Sequence, residues 1–317
     1  MSTPGGQPSL MLLDAAGLYY RAFFGVPDRR TDPSEPPTNA VRGFLDMIAT
    51  LVSTHRPTGI VACWDDDWRP QFRVDAVPSY KTHRLADGTV DQEEAPSDLT
   101  PQVPVIAAAL AALGIARVGC PGFEADDVIG TLATREEGRR RVDVVTGDRD
   151  LFQLVRDPSP GDAGVRMIYT ARGGVRDADV VDEEYLRVRY GVRGGDGYAD
   201  LAVLRGDPSD GLPGVPGVGE KTAARLLSTY GDLAGLLAAI DTGDARLKGA
   251  QRAKLLGARG YLDVAPTVVH VARSCPIPPL DDALPTSVAD ARLLSELAVA
   301  YRLTARFNNV LAALGLD

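Results

Sequence analysis

Cysteine is scarce in this chain of 317 residues: Cys63, Cys120 and Cys275 are its three, none close to another in sequence. That excludes a disulfide framework and a cysteine-rich zinc module, and it suits a reducing compartment. Histidine is as thin, at 55, 83 and 270, too scattered for a ligand pattern. Lysine occurs only at 81, 221, 248 and 254, with arginine supplying the other basic residues. Positive charge is outweighed, 34 Lys+Arg against 43 Asp+Glu, a net −9. A uniformly basic nucleic-acid wrapper is therefore excluded, although a local basic face is not. Long hydrophobic runs are missing too. The most apolar uncharged stretch, 103–116, is 14 residues with Pro104 and Gly114 inside it. It is too short to span a bilayer and suits a core helix. The opening MSTPGGQPSL has neither a basic nor an apolar signal region, so residues 1–9 read as a flexible tail and no membrane association is expected.

What is present is a globular composition: 44% apolar, 24% charged, with 33 Gly and 23 Pro marking many loops. The length suits one large domain or two ordinary ones. Four short β-rich runs, 10–13, 59–64, 115–118 and 142–146, alternate with helical patterns near 39–54, 102–113 and 125–137. Strands separated by helices predict βαβ units and a parallel sheet buried on both faces. Residues 10–177 form this α/β region. The stretch 178–317 reads as mostly helical, with a β-like alternation only at 267–271.

The carboxylates fall where such a sheet would gather them, because open α/β sheets place ligands at the carboxyl ends of their strands. Asp14 follows the first run. Asp65, Asp66 and Asp67 follow the second. Glu124, Asp126 and Asp127 stand where a helix begins, Asp148 and Asp150 follow the fourth run, and Asp207 and Asp210 lie in a turn-rich RGDPSDG. Singly, each reads as a cap or turn residue. Together in one crevice they would repel by ~1 kcal/mol per close pair in water and ~4 kcal/mol at an effective dielectric of 20. Cations between them remove that cost, and all-oxygen donors favour Mg²⁺ or Mn²⁺ over Zn²⁺. Divalent ions in such a crevice suit in-line displacement at a phosphodiester.

An anionic substrate needs positive groups nearby. Between 68 and 84 four basic residues oppose one acidic residue, and Arg73, Tyr80, Lys81 and Arg84 are the candidates, with Arg21 after the first Asp. Further on, LPGVPGVGEKTAARLL (212–227) places Gly214, Gly217 and Gly219 ahead of a helix start, with Lys221 and Arg225 on it. Backbone amides there can hold phosphate oxygens. The pattern resembles a helix-hairpin-helix motif, about 201–240, which grips duplex backbone without reading sequence.

Taken in order from about Leu12 to Ala239, these segments resemble the 5′-nuclease (flap endonuclease) family, including the 5′→3′ exonuclease domain that bacterial DNA polymerase I carries. The resemblance implies an α/β fold: a PIN-like parallel-sheet nuclease core, a helical arch or clamp at about 68–101, and a helix-hairpin-helix region. It implies that Asp14, one of Asp65–Asp67, Glu124, Asp126, Asp127, Asp148, Asp150, Asp207 and Asp210 hold two or more Mg²⁺ or Mn²⁺ ions. It gives Lys81 and Arg84 to the scissile phosphate, Tyr80 to base stacking, and a K⁺ ion to the hairpin loop. For the second carboxylate, the strand end picks Asp65 and the count back from Phe72 picks Asp66, the latter slightly favoured. The C-terminal part of the arch is unusual in being acidic, with Asp87, Asp91, Glu93, Glu94 and Asp98. The implied activity is structure-specific hydrolysis of DNA at flaps, nicks and 5′ ends, RNA-containing ends included, by a monomer in a bacterial cytoplasm. A non-catalytic DNA-structure-binding protein and a PIN-type ribonuclease are the competing readings.

Overall fold

The computed structural model describes residues 8–32 and 34–316; most of the expected tail lies outside them, and Ser9 already belongs to a strand. The first half alternates β1 (Ser9–Asp14), α1 (Ala15–Gly25), α2 (Asn39–His55), β2 (Gly59–Cys63), α3 (Gln71–Ala76), α4 (Gln102–Leu113), β3 (Ala116–Val118), α5 (Ala125–Arg135) and β4 (Arg141–Thr146). β5 (Val165–Tyr169) and β6 (Asp179–Val181) complete a six-stranded sheet in the order β3-β2-β1-β4-β5-β6, parallel except for β6.

β1 shows why the sheet is apolar throughout. Leu10 and Leu12 enter one hydrophobic core while Met11 and Leu13 enter the other, so successive residues serve opposite faces. One face is covered by α1, α2 and α4. The other carries α5 and a helical layer, α6 (Glu183–Tyr190), α7 (Gly194–Arg205), α8 (Glu220–Tyr230), α9 (Leu233–Thr242), α10 (Gly249–Gly257) and α11 (Arg259–Val269). The chain then returns: α12 (Ala291–Ala300) and α13 (Thr304–Leu314) bury Leu294, Leu297, Phe307 and Val310 with Phe44 and Ile48 of α2.

Three expectations change. The region after 177 opens with a strand, β6, that pairs with β5, and its last two helices complete the first core. The alternation at 267–271 is not a strand; Thr267 to Val269 end α11, where Val268 and Val269 are buried by helical packing. The arch segment has little helix: α3 spans six residues and a single 3-10 turn covers Thr82–Arg84. The rest is irregular, pinned where Leu85 pairs with Glu93. No helix among the described residues is long and apolar enough to cross a membrane.

Candidate active site

The carboxyl ends of β1, β2 and β4 open into one cavity of about 990 Å³. Asp14 ends β1 and caps α1, accepting the Gly17 amide at 2.9 Å. Thr146 ends β4, donates its hydroxyl to Asp14 Oδ2 at 2.8 Å, and accepts the Asp148 amide at 2.8 Å. That buried hydroxyl ties the Asp14 carboxylate at the end of β1 to the backbone turn that carries Asp148 after β4, and the sequence signal for it was a lone polar residue closing VDVVT. Trp64 still bonds β3 through its amide, so Asp65 is the first residue free to turn inward, accepting the Ala125 amide at 2.8 Å. Asp66 packs on Gly119, where a methyl group would lie 2.3 Å from its Oδ1, and Asp67 does not line the cavity. Asp65 and Asp66 both line the cavity, and the charge of Asp65 raises the proton affinity of Asp14.

Burial raises the proton affinity of several of these carboxylates. It pushes Asp14 up to about 6, helped by Asp65 and Asp148, and Glu124 up to about 7. Asp126 and Asp150 lie well above the usual carboxylate range, first by burial and then through Asp148. Asp65 and Asp210 are also raised, chiefly by burial. Among the described residues no three acidic, histidine or cysteine side chains clasp an ion position as they stand. The donor chemistry nonetheless suits a hard divalent ion, because Mg²⁺ keeps several waters and takes only one or two carboxylates directly. Asp14, Asp65, Asp66, Glu124, Asp126, Asp148 and Asp207 line the cavity; Asp150 and Asp210 do not.

Three expected assignments meet burial instead. Arg73 is 2% exposed and Asp127 is fully buried, paired through both nitrogens and both oxygens at 2.8 and 2.6 Å. Asp127 also accepts the Glu124 and Ala272 amides, and Arg73 donates to the Val268 carbonyl. Neither lines the cavity; the pair ties α3 and α5 to the strap after α11, and Arg73 also contacts Glu124 at 3.3 Å. Tyr80 is 2% exposed with its hydroxyl on Glu124, so it cannot stack on a base. Arg21 does not line the cavity and donates to the Ala171 carbonyl at 3.4 Å.

Lys81 and Arg84 do line it. Lys81 contacts Glu124 at 2.9 Å and Arg84 contacts Asp210 at 2.8 Å, so both cations are held by carboxylates at the cavity edge. Tyr19, Tyr20, Trp64 and Trp68 supply an aromatic wall, and Glu93 and Glu94 bring the acidic end of the arch to the same opening. Sequence reading gave these aromatics no role.

The glycine-rich hairpin runs from α7 to α8. Gly214 (φ +62°) and Gly217 (φ +72°) take the left-handed conformation, and a methyl at Gly214 would meet the Arg205 carbonyl oxygen at 2.4 Å. Gly219 is extended with open space around it, so it only begins α8. Lys221 and Arg225 are exposed on that helix. The same loop carries Asp207 into the cavity and is bound to the arch base by Lys81 N–H to Asp210 O (2.9 Å) and Ser79 Oγ to Gly211 O (2.7 Å).

Residues 9–191 match the family described as 5'-3' exonuclease, N-terminal resolvase-like domain, and 194–291 match 5'-3' exonuclease, C-terminal SAM fold. A 5'-3' exonuclease of Streptomyces coelicolor is 56% identical over 96% of this chain and 99% of its own. One from Mycobacterium tuberculosis is 50% identical over 92% and 93%. The DNA polymerase I of that species is 42% identical over 78% of this chain and 26% of its own. Among solved structures, zinc-bound T5 5'-exonuclease superposes with a TM-score of 0.63 at 17% identity, covering 97% of this chain and 99% of that one. The catalytic core of Rad2 in complex with DNA substrate gives 0.59 at 18%, covering 97% and 93%. At these identities the structures speak to fold.

Proposed function

The chain belongs to the 5'-3' exonuclease family, and on that footing we propose that it is a divalent-metal-dependent, structure-specific 5′ nuclease. It acts on DNA at flaps, nicks and 5′ ends, RNA-containing ends included, as a monomer. The observation that carries the reading is the meeting of Asp14, Asp65, Asp126 and Asp148, from four chain segments, in one cavity flanked by Lys81, Arg84 and the hairpin.

Asp14, Asp65, Asp126 and Asp148, with Glu124 and Asp207, would hold the ions. When bound, Mg²⁺ or Mn²⁺ supplies the Lewis acidity for in-line displacement at phosphorus. Asp66, Asp150 and Asp210 surround that set and add negative charge. Lys81 and Arg84 exchange their carboxylate partners for the scissile phosphate and orient it. Trp64 and the tyrosines wall the cavity against bulk water. Water attacks phosphorus, the bond to the 3′ oxygen breaks and that oxygen takes the proton, leaving a 5′-phosphate and a 3′-hydroxyl. The hairpin amides near Gly217 and Gly219, with Lys221 and Arg225, grip duplex phosphates, and the loop carbonyls would hold a K⁺ ion whose charge would add to that grip.

The test is a labelled 5′-flap duplex and its RNA counterpart, each incubated with Mn²⁺ and with chelator. Metal-dependent release of a short 5′ fragment from the DNA flap is expected. Binding without cleavage in Mn²⁺ would favour an idle DNA-binding protein, and cleavage of the RNA alone would favour a ribonuclease.

A further inference from the structure

Charge is distributed against the average of this protein around the hairpin. Between 212 and 258 six basic residues stand against four acidic ones, in a chain of net charge −9, and three of its four lysines fall there. The four carboxylates are occupied. Glu220 pairs with Arg189 at 3.2 Å, Asp241 with Arg259 at 3.2 Å and Asp244 with Arg246 at 2.7 Å, while Asp232 caps α9. Lys221, Arg225, Lys248, Arg252 and Lys254 form no ion pair among the described residues, whereas arginines across the rest of the surface commonly do.

Geometry directs one of the five at the hairpin. A methyl group on Gly217 would meet Lys254 Nζ at 2.5 Å, so this ammonium from α10 overlies the loop that leads into α8. Lys248 caps the start of α10 and Arg252 lies on its first turn. Arg252 sits beside the end of α9, its Nη2 3.5 Å from where a Gly243 side chain would begin. Like charges held together without counter-charges repel, and a polyanion removes that repulsion.

We infer that α10 carries a second phosphate-binding strip for duplex DNA. Lys254 shares a phosphate with the hairpin loop, and Arg252 and Lys248 contact the backbone beyond it. The strip rests on the nuclease reading and extends it from a single turn to a two-helix grip, which holds the duplex in register while the 5′ end enters the cavity.

The experiment is equilibrium binding of the full chain to a nicked or flapped duplex in chelator, followed as a function of KCl concentration. Lys254→Gln should flatten the plot of log K against log salt by about 0.9, and K248Q/R252Q/K254Q by about 2.7, with K254R close to wild type. R187Q, which removes a paired cation on α6, should leave the slope unchanged. Melting temperatures check that each variant folds. A wild-type slope in a folded triple variant overturns the strip while wild-type cleavage leaves the nuclease reading standing. Absence of both cleavage and duplex binding in the wild type overturns that reading itself.

Discussion

At Asp14, stability and activity pull in opposite directions. Its folded-state pKa of about 6 lies above the ordinary 3.8, so the folded protein holds this proton more tightly than the unfolded chain does. Ionising it costs the fold on the order of 3 kcal/mol, a cost absent below ~pH 4 and fully felt above ~pH 6. Asp14→Asn should therefore raise the melting temperature of the chelated protein at pH 8 and by about half as much at pH 5, while cleavage is lost. Mn²⁺ should stabilise the wild type more than the variant, because only the wild type keeps the full ligand set. A destabilised variant at pH 8 would show that the carboxylate is a net anchor instead. Lys81→Ala belongs to the same scale. If its ammonium orients the scissile phosphate, single-turnover cleavage should fall by orders of magnitude while flap affinity changes only a few-fold. Asp148→Asn should likewise abolish cleavage with binding nearly intact.

Between elements, the buried Arg73–Asp127 pair holds the arch base, α5 and the strap after α11 in one arrangement. Removing one partner leaves an uncompensated buried charge, so Arg73→Gln should destabilise the protein by about 3–5 kcal/mol in denaturant unfolding. Asp127→Asn should cost less when added to it than alone, because the two share one interaction. Flap affinity per folded molecule should be unaffected by Arg73→Gln, which separates this role from the DNA contact expected of it. The misassignment has a plain cause. A basic residue three positions after a proline in a charged segment looks solvent-facing, and nothing local reveals that Asp127, on another helix, will close over it. The reverse holds for Gly214: turn chemistry is local, and the glycine pattern marked the tight turn in which Gly214 takes the left-handed conformation.

Over the whole molecule, α12 and α13 supply the outer cover for α2 and α4, although they are the last elements of the chain. Deleting residues 291–317 would expose Phe44, Ile48 and their neighbours to water, each worth about 1.5–3 kcal/mol of burial. The expected outcome is an aggregating or unfolded protein, read by circular dichroism and gel filtration, rather than a trimmed nuclease. Phe307→Ala, a milder form of the same test, should cost about 3–5 kcal/mol.

Four of the six strands, the α/β class, the strand-end carboxylates and the glycine hairpin could be derived from the order of residues, because periodicity and turn preference act over a few positions, whereas β5 and β6 carried no such signal. Which carboxylate of 65–67 turns inward, which of Glu124, Asp126 and Asp127 reach the cavity, and which cations remain free were decided only when distant segments packed. Burial and pairing depend on the partner that arrives from elsewhere in the chain: Asp127, closed over by Arg73 away from the cavity, becomes scaffold, while the carboxylates left on the cavity wall become a place for a cation.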